Sequence, residues 1–478
     1  MKPAIFFLSL ATAAYGALPS VGPDYVRPQV QVPDAYRDAD GAGAWTASAP
    51  ADGTPRGTWW RIFSDPGLDR LEGLSLSRNQ DLAAAAARIE QAAASAGLAR
   101  SAYFPQVALS PSATRERFSP TTDNPYPQLV ATDLSVPLLA TWELDLFGRV
   151  RRLNEAARAD ADASAALYES VRLSLAASVA QDYFLLRGLD REIAVLRATI
   201  TLRERELDLV NAQLRSGTAT ELDASRAETE LAAAEADLAA VAVRRESAQD
   251  SLAVLAGESA TSFAVGESVA DIGLPVVPAG VPSALLERRP DVAAAERALA
   301  AANARIGVAK SAYFPAISLT GSAGFESADT SRLFGADSRI WSIGPTLYLP
   351  VFQGGRNRSN LDRSRSVYDE SLAAYRQQVL VALREVQEAL TSARLLSQES
   401  AAVDRAVTHS RRAAELAKTR YEAGYVSYLD VVDAQRTELG NERAAAQLFA
   451  QRLNTSVALI KALGGGWSVP TGPRVAAN

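Results

Sequence analysis

Between Asp133 and Leu146 apolar and polar side chains alternate. Leu134, Val136, Leu138, Ala140, Trp142, Leu144 and Leu146 fall on one side, and Asp133, Ser135, Pro137, Leu139, Thr141, Glu143 and Asp145 on the other. A period of two puts one set on each face of a β-strand. Further on, Trp341, Ile343, Pro345, Leu347, Leu349 and Val351 alternate in the same way with Ser342, Gly344 and Thr346. Strand-like text precedes each run, which predicts two hairpins, roughly 103–118 with 128–146 and 313–327 with 338–351. Pro120, Pro125 and Pro127 mark the turn of the first.

The pattern then lengthens. Gly148-Arg149 and Gly355-Arg356 each open a stretch with helical composition. From Arg149 to Arg215 there is no proline and one glycine, Gly188; from Arg356 to Ala423 there is neither. About 67 residues at 1.5 Å each make a rod of roughly 100 Å, whereas ordinary helices average about 11–12 residues. Each rod stops at a glycine-containing turn, and a second helix returns, about 220–256 and 427–463. Alanine, leucine, glutamate and arginine dominate these antiparallel helical hairpins, as in coiled-coil-like packing. Nearer the start, Asp65-Pro66 suits a helix N-terminus, and a helix over 81–101 stops before Tyr103-Phe104-Pro105.

The chain says this twice. Ser101-Ala102-Tyr103-Phe104-Pro105 recurs as Ser311-Ala312-Tyr313-Phe314-Pro315, an offset of 210. Gly217, with Leu222-Asp223 after it, recurs as Gly424 with Leu429-Asp430, an offset of 207. A period of that size is far beyond the roughly 20–50 residues of solenoid units. The organisation is a leader at 1–16, an extended arm rich in Pro, Gly, Asp and Ala at 17–57, repeats at 58–265 and 266–465, and a tail at 466–478.

Composition removes most chemistry. With no cysteine, one histidine (His409, in a polar helical stretch) and one methionine, disulfides, Cys/His zinc sites and thiol nucleophiles are excluded. No nucleophile–base pair, metal set or cofactor motif can be assembled, so no enzyme is expected. A net charge of −6 argues against nucleic acid as a partner. Lys2, the apolar run Ala4 to Leu10, and Ala11-Thr12-Ala13 or Ala14-Tyr15-Gly16 read as an export signal. No later segment has 18 consecutive apolar residues, so an exported chain of this kind is either soluble or membrane-embedded as strands.

Strands of 10–15 residues suit an outer-membrane crossing at a tilt. Four cannot close a barrel, and open edges are not tolerated in lipid. Three chains would supply twelve strands and set their long helices side by side as a tube. The competing reading from pattern alone is a soluble periplasmic coiled-coil scaffold with two hairpins.

Trp59-Trp60-Arg61-Ile62-Phe63-Ser64-Asp65-Pro66, Leu285-Leu286-Glu287-Arg288-Arg289-Pro290-Asp291-Val292 and the paired Ala-Tyr-Phe-Pro motifs resemble the TolC-like outer membrane efflux family. Val21-Gly22-Pro23-Asp24-Tyr25-Val26-Arg27-Pro28 is similar to the arm of its NodT-type branch. The resemblance covers about 21–465. It implies a mainly α fold with a membrane β-barrel: a homotrimer in which four transmembrane strands per chain close a twelve-stranded barrel in the outer membrane, above a periplasmic α-barrel of helical hairpins. The function implied is a passive exit duct of a tripartite RND-type efflux pump, with a periplasmic adaptor, an inner-membrane pump and outer membrane lipid as partners and no cofactor. A type I protein secretion exit shares the fold and stays open. Where that branch carries a lipidated cysteine, this chain has Pro19, so no lipid anchor is expected.

The same resemblance places function at the turns between helices. Asp430 and Asp433, three apart, share a helix face, and in a trimer they would form two stacked carboxylate rings, a cation-selective gate that Tyr421 would join. Asp430 also stands three residues after Ser427, a capping-box spacing repeated by Thr220 and Asp223, so helix-start chemistry explains it equally well. Asp433 has no such role, and its counterpart in the first repeat is Arg226. The family's latching arginine, two residues after the tip glycine, is replaced by Val426. Arg215, Ser216, Gly217 and Thr218, with Gly424 and Tyr425, are the adaptor-docking candidates, although both glycines also serve as left-handed helix ends.

Overall fold

The computed structural model describes residues 20–30, 36–37, 57–121, 130–275 and 288–465. The leader, Pro19, most of the arm, the turn with Pro125 and Pro127, the start of the Leu285–Val292 motif and the tail lie outside the described residues. Two compact units each draw on both halves of the chain. One comprises Met1–Gln29, Arg88–Ala165 and Ala294–Arg376; the other comprises Val30–Ala87, Ala166–Ala293 and Gln377–Asn478.

The first unit holds the sheet. Its strands are β1 (Gln106–Leu109), β2 (Ser112–Arg117), β3 (Val130–Leu144), β4 (Ala316–Ser327) and β5 (Arg339–Tyr348). β1 and β2 both pair antiparallel with β3, β3 with β4, and β4 with β5. The expected first strand is therefore split, yet its register does not slip: Leu109 faces Leu138 and Ser112 faces Ser135. Pro111 and Pro137 both lack an N–H, so the ladder loses donors there. The Ser110 N–H, donating to the Pro137 carbonyl at 3.1 Å, bridges the gap. β5 ends at Tyr348, short of the expected 351, where Pro350 removes a donor.

Directly opposed residues share a face, so the register assigns sides. Val107 and Leu109, then Leu134, Val136, Leu138, Ala140, Trp142 and Leu144, then Ile317, Leu319 and Phe325, then Trp341, Ile343 and Leu347 lie on one face. Ser112, Glu116, Asp133, Ser135, Thr141, Glu143, Ser318, Thr320, Ser322, Glu326, Ser342 and Thr346 lie on the other. Apolar side chains at the sheet's margins stand open: Leu109 is 63% exposed, Ile343 69% and Trp341 78%. The outer edges of β1/β2 and of β5 pair with no strand among the described residues.

Helix α2 (Gln80–Ser101) leads into β1, and α5 (Pro290–Ser311) leads into β4. Helix α3 (Arg149–Arg215) leaves β3 through Gly148, at φ +81°. Buried Asp145 caps it, accepting from the Val150 and Arg151 N–H groups at 3.1 and 2.9 Å. The arm lies along this corner. The Val21 N–H donates to the Phe147 carbonyl (3.0 Å), and the buried Arg152 guanidinium donates to Asp24 (2.6 Å). Gly22, at φ +109°, passes so close to Gly307 that a Cβ would stand 2.5 Å from its Cα.

The second unit carries the core. Asp65 caps α1 (Pro66–Arg78), accepting from Gly67 N–H at 2.7 Å and from the Tyr183 hydroxyl at 2.8 Å. Trp59, Trp60, Phe63, Leu68 and Leu71 pack with Tyr183, Phe184, Leu186 and Ile193 of α3. Val241 and Leu252 of α4 (Glu221–Leu255), and Leu453 and Ile460 of α7 (Tyr428–Ala462), complete this cluster. The one glycine inside α3 is explained here: a Cβ on Gly188 would stand 2.5 Å from the Ala450 Cβ of α7. Helix α6 (Arg356–Glu422) is the second rod. Glu72 is wholly buried with neither carboxylate oxygen bonded, and burial pushes its carboxyl up to about 9.

Candidate functional site

Both helical hairpins turn by one backbone device. At the first tip Gly217 adopts φ +79°, and the Thr218 N–H closes on the Gln213 carbonyl at 2.9 Å. At the second Gly424 adopts φ +78°, and the Tyr425 N–H closes on the Arg420 carbonyl at 2.8 Å. This is a left-handed C-terminal cap, satisfying carbonyls the helix end would orphan. The return helices start alike. Thr220 N–H and Oγ1 donate to Asp223 Oδ2 at 3.2 and 2.7 Å; Ser427 N–H and Oγ donate to Asp430 Oδ2 at 2.9 and 2.6 Å.

The two tips pack on each other. Val210 and Ala227 of the first bury against Tyr428, Val431 and Val432 of the second, with Leu207, Ala224, Ala417 and Tyr421 at the margin. Tyr421 donates its hydroxyl to Gln213 Oε1 at 2.8 Å, and its ring lies 5.6 Å from that of Tyr428. Burial, followed by the Asp223 charge, pushes the Tyr421 hydroxyl above its ordinary range. One layer further along the helices, Arg203 donates to Gln435 at 2.7 Å and pairs with Glu230 at 3.4 Å, while Arg436 reaches Glu230 at 2.8 Å. Nothing in local sequence pattern announces the links between the two hairpins, because Arg203 and Gln435, like Glu230 and Arg436, lie more than 200 residues apart.

The carboxylates point away from that packing. Asp430 and Asp433 are exposed, on the face opposite buried Val431, Val432 and Gln435. The Ser427 hydroxyl and N–H hold the Asp430 carboxyl below its ordinary value. The capping role of Asp430 is thus real, and it runs through Oδ2. The Asp433 carboxylate makes no hydrogen bond among the described residues. At the first tip Asp223 pairs with Arg226 at 3.8 Å, so its charge is offset on the spot. The docking candidates Arg215, Ser216, Gly217, Thr218, Gly424 and Tyr425 are all exposed. Among the described residues, no helix is long and apolar enough to cross a membrane. The sheet, by contrast, offers an apolar face and a polar one.

A family model described as outer membrane efflux protein matches residues 71–258 and 281–465, one match per repeat. The chain belongs to the outer membrane efflux protein family. It is 36% identical to the outer membrane protein OprJ of Pseudomonas aeruginosa over 469 residues, covering 98% of this chain and 97% of that protein. It is 35% identical to the solvent efflux pump outer membrane protein SrpC of Pseudomonas putida, covering 85% and 87%. Among solved structures, the outer-membrane channel OprN superposes with a TM-score of 0.86 at 33% identity, covering 94% of this chain and 99% of that one. The open state of the Neisseria gonorrhoeae MtrE channel superposes with a TM-score of 0.81 at 31% identity, covering 94% and 98%.

As a member of this family the protein is an outer membrane efflux component that extends into the periplasm. That decides the alternative left open by pattern, and the scaffold reading gives way.

Proposed function

We propose that three copies of the chain close a twelve-stranded barrel and form the passive exit duct of a tripartite, RND-type efflux pump, receiving cargo from an inner-membrane pump through a periplasmic adaptor. The observation that carries this is the antiparallel sheet, four strands wide with β1 and β2 sharing one edge, apolar on one face and polar on the other, with both edges unpaired among the described residues. In lipid an unpaired edge costs several kcal/mol per orphaned group, and further copies satisfy it. Relatives that serve as solvent, toluene and antibiotic efflux components support a duct for small molecules. Residues 58–265 and 266–465 act as the two equivalent repeats of each copy.

Asp430 and Asp433 line the periplasmic mouth as three-fold carboxylate rings, and Tyr421 controls how closely the two tips of each copy pack. The exposed tip turns, Arg215 to Thr218 and Gly424-Tyr425, receive the adaptor. The test is single-channel conductance in a planar bilayer. Wild type is expected to pass discrete, cation-selective current, and Asp430→Asn/Asp433→Asn to lose the selectivity. Folded, heat-modifiable protein that carries no current would sink the duct. Bulky residues at Thr218 and Tyr425 should abolish adaptor pull-down; unchanged pull-down would remove docking from the tips.

A further inference from the structure

The strands carry seven charged side chains, and the register sorts them by sign. Glu116, Asp133, Glu143 and Glu326 lie on the polar face. Arg115 and Arg117, opposite Thr132 and Val130, and Arg339, opposite Phe325, lie on the apolar face. All three arginines sit at the strand ends remote from the helices, and all are exposed. A guanidinium on a lipid-facing surface is tolerated only near an interface, where it can reach charge and water. Trp341, beside Arg339 on the same face, suits that depth, since tryptophan collects at membrane boundaries.

The internal repeat brings the three together. Leu109 and its repeat Leu319 pair with Leu138 and Pro345, so β3 maps onto β5. The junction between hairpins, in which Leu134 faces Ser327 and Leu144 faces Ile317, is the chain's own solution for joining these two kinds of edge. Applied between copies, that register sets Leu349 against Leu109 and Trp341 against Arg117 of a neighbour. Arg115 and Arg117, two apart on a strand, stand about 7 Å from each other. Arg339 then lies diagonal to the neighbour's Arg117, roughly 7–8 Å away. No carboxylate of any strand shares that face.

We propose that Arg115 and Arg117 of one copy, with Arg339 and Trp341 of the next, form a binding site for the phosphate groups of outer-leaflet lipid headgroups, one at each junction between copies. Guanidinium forks match phosphate oxygens in charge and geometry, and the hydrogen bonds are charge-assisted. The apolar strip beneath, Leu109, Ile343 and Leu347, takes the acyl chains. The site rests on the barrel closure proposed above.

Native mass spectrometry of the detergent-solubilised oligomer tests it, with diphosphoryl lipid A, dephosphorylated lipid A and inorganic phosphate as probes. The oligomer should bind diphosphoryl lipid A and discriminate against the dephosphorylated form. Each of Arg115→Gln, Arg117→Gln and Arg339→Gln should weaken binding about tenfold, and the triple variant should lose it. Glu116→Gln/Glu326→Gln, on the other face, should bind as wild type does. Heat-modifiable migration of every variant controls for folding. Equal binding by the triple variant, equal binding of the dephosphorylated lipid, or full displacement by millimolar phosphate would each overturn the lipid site. A wild-type chain that stays monomeric would instead sink the barrel closure, which separates the two failures.

Discussion

The two hairpin tips share one backbone structure and differ in how their carboxylates are balanced. Both end a 67-residue helix in a left-handed glycine, Gly217 at φ +79° and Gly424 at φ +78°, and both begin the return with a hydroxyl residue bonded to an aspartate three positions on. What differs is the next turn. Arg226 sits 3.8 Å from Asp223 and offsets it, whereas Asp433 in the corresponding place adds a second carboxylate to Asp430. Backbone geometry has survived the duplication because no other residue enters the turn cheaply. Charge has diverged on the exposed face, where the packing constrains it least, and the added carboxylate is the part of the tip to which the proposed gate assigns function.

The largest expected effect comes from making the second tip copy the first. Asp433→Arg would place a guanidinium three residues from Asp430, as Arg226 stands to Asp223, and in the proposed trimer would turn a ring of three negative charges into three positive ones. Bilayer recordings should show cation preference abolished or reversed, with the fold intact by circular dichroism. The reciprocal Arg226→Asp should strengthen cation preference if the first tip also faces the pore. Unchanged selectivity in Asp433→Arg would remove the ring from the conduction path.

A smaller effect tests the shared backbone. A Cβ on Gly217 or Gly424 would meet nothing within 4 Å, so alanine at either costs only the left-handed conformation, about 1–2 kcal/mol. Gly217→Ala and Gly424→Ala should therefore loosen their tips equally, read as matched gains in amide exchange around each turn. A large difference would show that one tip is held by contacts outside its own turn.

These elements were not equally legible in the sequence. Alternation from Asp133 to Leu146 and the long proline-free stretches state their structure locally, and the β3 and α3 boundaries follow from them. The split at Ser110-Pro111 was hidden because hydrophobic periodicity does not count donors, and Pro137 comes opposite only once the hairpin registers. Gly188 reads as a blemish in a helix until Ala450 packs against it. Tyr421 was marked by resemblance, but its partner Gln213 is 208 residues away and no local pattern joins them. The sorting of Arg115, Glu116 and Arg117 by sign was written in their parity all along. It becomes meaningful only when the register puts the two arginines on the apolar face and the glutamate on the polar one.

Between the tips, Tyr421→Phe removes one neutral hydrogen bond and leaves the ring packed against Tyr428, a loss of about 0.5–1.5 kcal/mol. Chemical denaturation or exchange at the tips should register that loss, and opening events in bilayer recordings should become more frequent if tip packing restrains the gate. No change in either would leave the Gln213 contact without consequence.

The smallest effect is the pH dependence of the capping aspartate at the second tip. Asp430 is fully exposed and held below its ordinary 3.8 by the Ser427 hydroxyl and N–H. A carboxyl depressed in the folded state stabilises above its unfolded value and loses that contribution as pH falls through the folded one. The second tip should therefore be unaffected from neutrality down to about pH 4 and loosen only below that. Ser427→Ala removes the hydroxyl donor, so its tip should show less of this acid-induced loosening, whereas Thr220→Ala should leave the second tip's profile unchanged. Amide exchange at Tyr428 to Val432 between pH 5 and 3, corrected for the intrinsic rate, checks this. If loosening instead begins well above pH 4, a group other than Asp430 governs the tip, and the gate would respond to milder acid than its capping carboxylate allows.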